Sequence, residues 1–182
     1  MERGRRVRGG RGAAGNGDTV SWADVSHLAK LELQGGSDMI HELPFGTAVR
    51  RDDAWWCRLT ATRALVIGKR PEFDGVPDGL DVLDVTSNFA ALTLVGPLAR
   101  ETFARFCALD LRPKVTPVGA LRPGSIGRQP GLVIREDEDR YLFLFGWATG
   151  EYMWSVVADA GEHLGGRPCG VDALREVASA HA

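Results

Sequence analysis

A phrase used twice constrains this chain more than any other feature. Asp24-Val25-Ser26, followed by Leu28-Ala29-Lys30-Leu31-Glu32-Leu33-Gln34-Gly35, returns as Asp84-Val85-Thr86, followed by Phe89-Ala90-Ala91-Leu92-Thr93-Leu94-Val95-Gly96. With one extra residue in the second copy, Ser87 or Asn88, the pairs Asp24/Asp84, Val25/Val85, Ala29/Ala90, Leu31/Leu92, Leu33/Leu94 and Gly35/Gly96 are identical. Self-similarity at fixed spacing marks a duplicated unit, here a polar turn, an alternating strand and a glycine stop. A chain of 182 residues with 44% hydrophobic content has room for two small halves around a shared core. We expect residues 19–182 to form one domain of two halves, about 19–80 and 81–182, behind an Arg/Gly-rich tail over residues 1–18.

That tail carries Arg3, Arg5, Arg6, Arg8 and Arg11 against Glu2 and Asp18, a net +3, which leaves the rest of a chain of net charge −2 mildly acidic at −5. It offers almost nothing apolar to bury, so disorder is expected. Its Gly10-Arg11-Gly12-Ala13-Ala14-Gly15 matches a dinucleotide-loop pattern, but no strand leads in and no helix follows, as phosphate binding there requires. The overall charge commits the chain to neither nucleic acid nor membrane. No apolar run approaches the roughly 20 residues of a membrane span. Cys57, Cys107 and Cys169 are odd in number and far apart, which fits a soluble chain in a reducing, cytoplasmic setting.

Alternation through Leu31 and Leu33 predicts the first strand, and a short helical piece is expected over 39–42. Residues 55–59 and 64–68 read as a hairpin, 69–80 as the loop between the copies, and 97–107 as an amphipathic helix. Residues 110–124 read as loop, 132–135 and 141–145 as strands joined by a solvated acidic turn at 136–139. Met153, Val156, Val157, Ala160 and Leu164 form a helical stripe ending at Gly165-Gly166, and a last helix is expected over 171–180. The class is α+β: two pseudo-repeated, ferredoxin-like β-α units with antiparallel sheets.

Little in the sequence carries catalytic chemistry. Gly124-Ser125-Ile126-Gly127 lacks the helix that would make it a nucleophile elbow, and His27, His41, His163 and His181 lack the spacing of metal ligands, so no metal and no catalytic residue is assigned. Asp24 and Asp84 read as turn caps rather than as an acid pair. The surplus is aromatic. Tyr141, Phe143 and Phe145 share one face of a strand whose other face holds Leu142 and Leu144, and Trp55, Trp56, Trp147, Tyr152 and Trp154 add further rings. Such rings serve internal packing between the halves, a partner-subunit surface, or stacking on a flat heterocycle such as a pterin. Trp56, Tyr141, Phe143 and Trp154 are the candidates for a partner surface.

The two copies of the phrase, the Gly96-Pro97-Leu98-Ala99-Arg100 helix start, Phe106-Cys107-Ala108-Leu109-Asp110-Leu111 and Gly150-Glu151-Tyr152-Met153-Trp154 together resemble the gamma subunits of heterotetrameric sarcosine oxidases. Those are small relatives of the T-protein, the folate-binding aminomethyltransferase of the glycine cleavage system. The resemblance covers about residues 22–164. It implies a T-protein-like fold and an accessory subunit of a sarcosine or related N-methyl amino acid oxidase, non-catalytic alone. Its partners would be larger flavoprotein chains that carry FAD, FMN and NAD. An alternative is a truncated, stand-alone folate-binding one-carbon transfer protein, in which Arg128 pairs with a tetrahydrofolate carboxylate and Trp147 or Tyr152 stacks on the pterin. An RNA-modification adaptor is a third reading, carried by the basic tail. Gly124-Ser125-Ile126-Gly127-Arg128-Gln129 departs from the cysteine-containing turn of the gamma subunits, and without the T-protein's C-terminal barrel unaided carbon transfer is not expected.

Overall fold

The computed structural model describes residues 19–71 and 77–174. The tail, its glycine motif and the end of the expected last helix lie outside them; residues 171–174 are helical and Leu174 is buried. The first half contributes β1 (Ser21–Asp24), β2 (Ala29–Gly35), α1 (Asp38–His41), β3 (Ala48–Arg51), β4 (Ala54–Arg58) and β5 (Arg63–Gly68). The second contributes β6 (Leu80–Asp84), β7 (Phe89–Val95), α2 (Ala99–Ala104), β8 (Leu121–Ile126), β9 (Gln129–Asp137), β10 (Arg140–Gly146), α3 (Gly150–Glu162) and β11 (Arg167–Pro168).

The strands make two sheets, ordered β11-β1-β7-β10-β9-β8 and β6-β2-β5-β4-β3. All pairings between neighbours are antiparallel except β1 with β11. The fold is therefore α+β with two antiparallel-rich sheets. Within each half the order is two strands, a helix and three strands, and the ferredoxin-like description extends no further than this alternation of strand and helix. Each sheet also takes one strand from the opposite half: β1 joins the second half's strands and β6 the first half's.

Three apolar layers hold the sheets and helices together. Trp22, Leu92, Leu94, Tyr141, Phe143 and Phe145 of the first sheet pack under Phe103 of α2 and Met153 and Val157 of α3. The opposite face of that sheet, with Ala91, Leu142, Leu144 and Ile134, packs on Cys57, Leu65 and Ile67 of the second. The outer face of the second sheet, with Leu31, Leu33, Trp56 and Val66, is covered by Ile40 and Leu43 in and after α1. Both faces of β10 are thus covered by this chain, because a strand in the middle of a four-layer stack is apolar on both sides. Tyr141 and Phe143 are fully buried and Trp56 nearly so, which corrects their assignment to a partner surface.

The acidic turn also differs from expectation. Glu136 lies in β9 rather than at a solvated tip. Its Oε1 accepts a 2.7 Å bond from Trp55 Nε1 of the other sheet, and its Oε2 accepts from Arg140 Nε at 2.8 Å. One carboxylate therefore ties the two sheets together through charge-assisted bonds.

Candidate functional site

The repeated phrase places its two turns against each other. In each copy the aspartate closes an Asx turn: Ser26 N–H donates to Asp24 Oδ1 at 2.8 Å, and Thr86 N–H donates to Asp84 Oδ1 at 3.0 Å. Each copy then bonds to the other. Val25 N–H donates to Ala91 O and Val85 N–H to Lys30 O, both at 2.9 Å, while Ala91 N–H donates to Ser26 Oγ and Lys30 N–H to Thr86 Oγ1, both at 3.0 Å. Where the phrase ends, Gly35 and Gly96 lie against the backbone of Gly79 and Thr19, five residues ahead of Asp84 and Asp24 respectively. The valines and glycines that the copies share thus lie at this crossing, and Ser26, Thr86, Lys30 and Ala91 complete its bonds. Lys30 breaks the symmetry. Its side chain is fully buried and its ammonium donates to Ser26 O at 2.7 Å and Leu28 O at 3.1 Å. Burial lowers its pKa, with Asp24 opposing the shift.

A cleft of about 550 Å³ opens over this crossing, lined by Ser26, Asp84, Thr86, Ser87, Phe89, Ala90 and Trp147. Trp147 follows β10 on a 3-10 turn, and the Gly146–Phe89 pairing sets it beside the second copy. Its ring is 68% exposed. Asp84 is held down to about 2 by the Thr86 N–H and hydroxyl, then by Arg70 at 2.6 Å, so it stays ionised and donates no proton near neutrality. The Ser26 and Thr86 hydroxyls are taken up by backbone bonds.

Arg128 and Tyr152 line a different cleft, of about 360 Å³, with Arg105, Phe106, Cys107, Ala108, Ser125, Gly127 and Val156. Arg128 occupies the two-residue turn between β8 and β9 with φ +63°, next to Gly127 at φ +53°. The Asp52-Asp53 turn between β3 and β4 has the same left-handed pair. Tyr152, on the first turn of α3, donates its phenol hydrogen to Gly127 O at 3.0 Å and so fixes that turn. The structure brings Arg128 and Tyr152 together and places Trp147 elsewhere. Trp154 is half-buried, its ring edge-on to Trp22 at 6.5 Å. Arg105 is the cleft residue that sequence reasoning missed; it stands at the end of α2, and only the fold brings it to the β8–β9 turn.

No thiol is activated. Burial pushes Cys57 strongly upward, and Cys107 and Cys169 rise for the same first reason. The sign of the resulting pH dependence follows. Above the ordinary thiol pKa of 9 the unfolded chain ionises Cys57 while the folded chain does not, so stability is intact below pH 9 and falls as pH rises past it. Denaturant titrations at two alkaline pH values one unit apart should show Cys57→Ala losing about 1.4 kcal/mol less than wild type over that unit. Equal losses would rule the assignment out. Among the described residues no three His, Cys, Asp or Glu side chains gather as metal ligands, and no helix is long and apolar enough to cross a membrane.

No family model and no curated protein matches the sequence. Solved structures do match the fold. A chain of the heterotetrameric sarcosine oxidase of Corynebacterium sp. U-96 aligns with a TM-score of 0.70 at 20% identity, over 83% of this chain and 88% of that one. The glycine cleavage system aminomethyltransferase T of Bartonella henselae aligns with a TM-score of 0.59 at 12% identity, over 78% of this chain and 46% of that one. The chain thus spans less than half of the aminomethyltransferase, and the fold it shares with both is T-protein-like.

Proposed function

We propose that this chain is an accessory, gamma-like subunit of a heteromeric sarcosine oxidase or related N-methyl amino acid oxidase, with the flavin and NAD chemistry carried by larger partner chains. One observation carries the reading: the likeness extends over 88% of a sarcosine oxidase chain and over 46% of the glycine cleavage system aminomethyltransferase. In the same reading β1–β5 and β6–β10 are two copies of one unit. With Trp56, Tyr141 and Phe143 buried, the exposed rings among the described residues are Trp147, Phe45, over which Arg58 lies, and, at 47% exposure, Tyr152. Co-expression of the tagged chain with the larger flavoprotein chains of a sarcosine oxidase from the same organism should yield a co-purifying complex with flavin absorbance, weakened at least tenfold by Trp147→Ala, the range of a single interface anchor of about 2 kcal/mol. Purification of the chain alone, under conditions where the larger chains are soluble, would sink the reading.

The folate alternative is favoured by the meeting of Arg128, Tyr152 and Arg105 in one cleft. Two guanidinium groups suit the carboxylates of a folate tail. The same lining contains no carboxylate for the amino-pyrimidine edge of a pterin, so these residues fit the tail and not the head. Unchanged tryptophan emission at millimolar folate is the expected result, and a saturable change would favour the alternative.

A further inference from the structure

The two halves differ at one sheet edge. On the outer side of β1 lies β11, parallel to it, with Arg167 N–H donating to Val20 O at 3.2 Å and Cys169 N–H donating to Trp22 O at 2.8 Å. The counterpart of β1 is β6, which ends the other sheet and pairs with no outer strand among the described residues. Register makes the comparison residue by residue: Val82 stands opposite Leu33 as Trp22 stands opposite Leu94. The inward bonds agree, since Val85 N–H meets β2 as Val25 N–H meets β7. The carbonyls of Leu80 and Val82 and the N–H of Val82 therefore face outward, while the Leu80 N–H turns back to Pro77 O at 3.1 Å. Unpaired edges of this kind are templates for an added strand.

We propose that β6 is a strand-addition site, taking a short extended segment of a larger partner chain, parallel to β6 and bearing lysine or arginine between apolar residues. The direction follows from β11, which occupies the equivalent edge. The chemistry follows from charge: Asp78, Asp81 and Asp84 stand along the strand and its entry, with Arg70 paired to Asp84 as their one ion pair among the described residues, and Leu83 is 45% exposed between them. A second copy of β6 would bring aspartates against aspartates, which disfavours self-pairing. The proposal rests on the accessory-subunit reading for the source of the segment, not for the edge itself.

The edge is tested with two synthetic peptides, one alternating lysine with valine and one alternating glutamate with valine, while amide hydrogen exchange at Val82 is followed by NMR in the full chain. The Val82 amide should exchange freely in the chain alone and slow at least about tenfold with the lysine peptide only. Asp81→Lys should abolish that protection. Val82→Pro, whose lost N–H points outward and leaves the β2 pairing intact, should abolish binding of the lysine peptide, read as loss of the shift changes it causes at the Leu83 and Asp84 amides. Protection by both peptides or by neither overturns the proposal. So does a Val82 amide already protected in the free chain and released by deleting residues 1–18, since the edge would then belong to this chain's own arginine segment. In the co-purification, a complex that survives Val82→Pro removes the edge from the interface and keeps the accessory reading, whereas failure of wild type to co-purify removes that reading and leaves the peptide result standing.

Discussion

Gly96→Ala and Gly35→Ala should each leave the chain unfolded, or nearly so, at room temperature. A Cβ on Gly96 would stand 2.3 Å from the carbonyl oxygen of Thr19, and one on Gly35 would stand 2.0 Å from that of Gly79. Real Cβ atoms do not approach backbone oxygen so closely, and at φ +119° and +144° the backbone itself disfavours an L side chain. The obstructing atoms are main chain of a strand entry, so relief means parting β1 from β7 or β6 from β2. We expect a loss of about 4 kcal/mol or more at either position, most of the stability of a domain at the low end of the usual range. Gly36→Ala, one residue along, meets nothing within 4 Å and serves as the control. Thermal unfolding followed by circular dichroism decides the matter, and Gly96→Ala melting like Gly36→Ala would contradict the packing described here.

Phe143→Ala should cost about 3–5 kcal/mol, the usual range for removing a fully buried ring. Phe143 contacts Phe103 at a ring separation of 4.7 Å and Phe145 at 6.0 Å, so the cavity would open beneath α2, where sheet and helix have little freedom to collapse. For a chain of this size the melting temperature should fall by about 6–20 °C. Tyr141→Phe makes the informative contrast. The Tyr141 hydroxyl is buried without a hydrogen-bond partner among the described residues, so deleting it removes a desolvation cost and should leave stability unchanged or raised by up to about 1 kcal/mol. A large loss in Tyr141→Phe would mean that the hydroxyl has a partner after all, and no loss in Phe143→Ala that this face is not packed as described.

The repeated phrase was readable because identical residues do identical work: Asp24 and Asp84 cap turns, and Gly35 and Gly96 admit a backbone. The strands β2, β4, β5 and β10 and the helix α3 were likewise legible from their apolar patterns. The elements that escaped are short or peripheral. β6 buries only Leu80 well, and β8 carries Pro123 and Gly124 yet pairs with β9 along an edge where proline is tolerated. The aromatic surplus was misassigned for a related reason. Periodicity reveals that both faces of a strand are apolar but not whether a second sheet of the same chain covers one of them. The clefts were the least legible, since Arg105, Arg128 and Tyr152 meet only through the fold, and Trp147 is separated from them by the Gly146–Phe89 register.

The exchange of β1 and β6 between the sheets has a consequence for assembly. Neither half can complete its own sheet in isolation, so in the nascent chain β2 must wait for β6, and β1 for β7, before each gains the neighbour that the opposite half supplies. Such distant pairings make for slow, cooperative folding. They also make the chain a natural subject for complementation: cut once between β5 and β6, the two fragments should stay unstructured apart and restore each other on mixing.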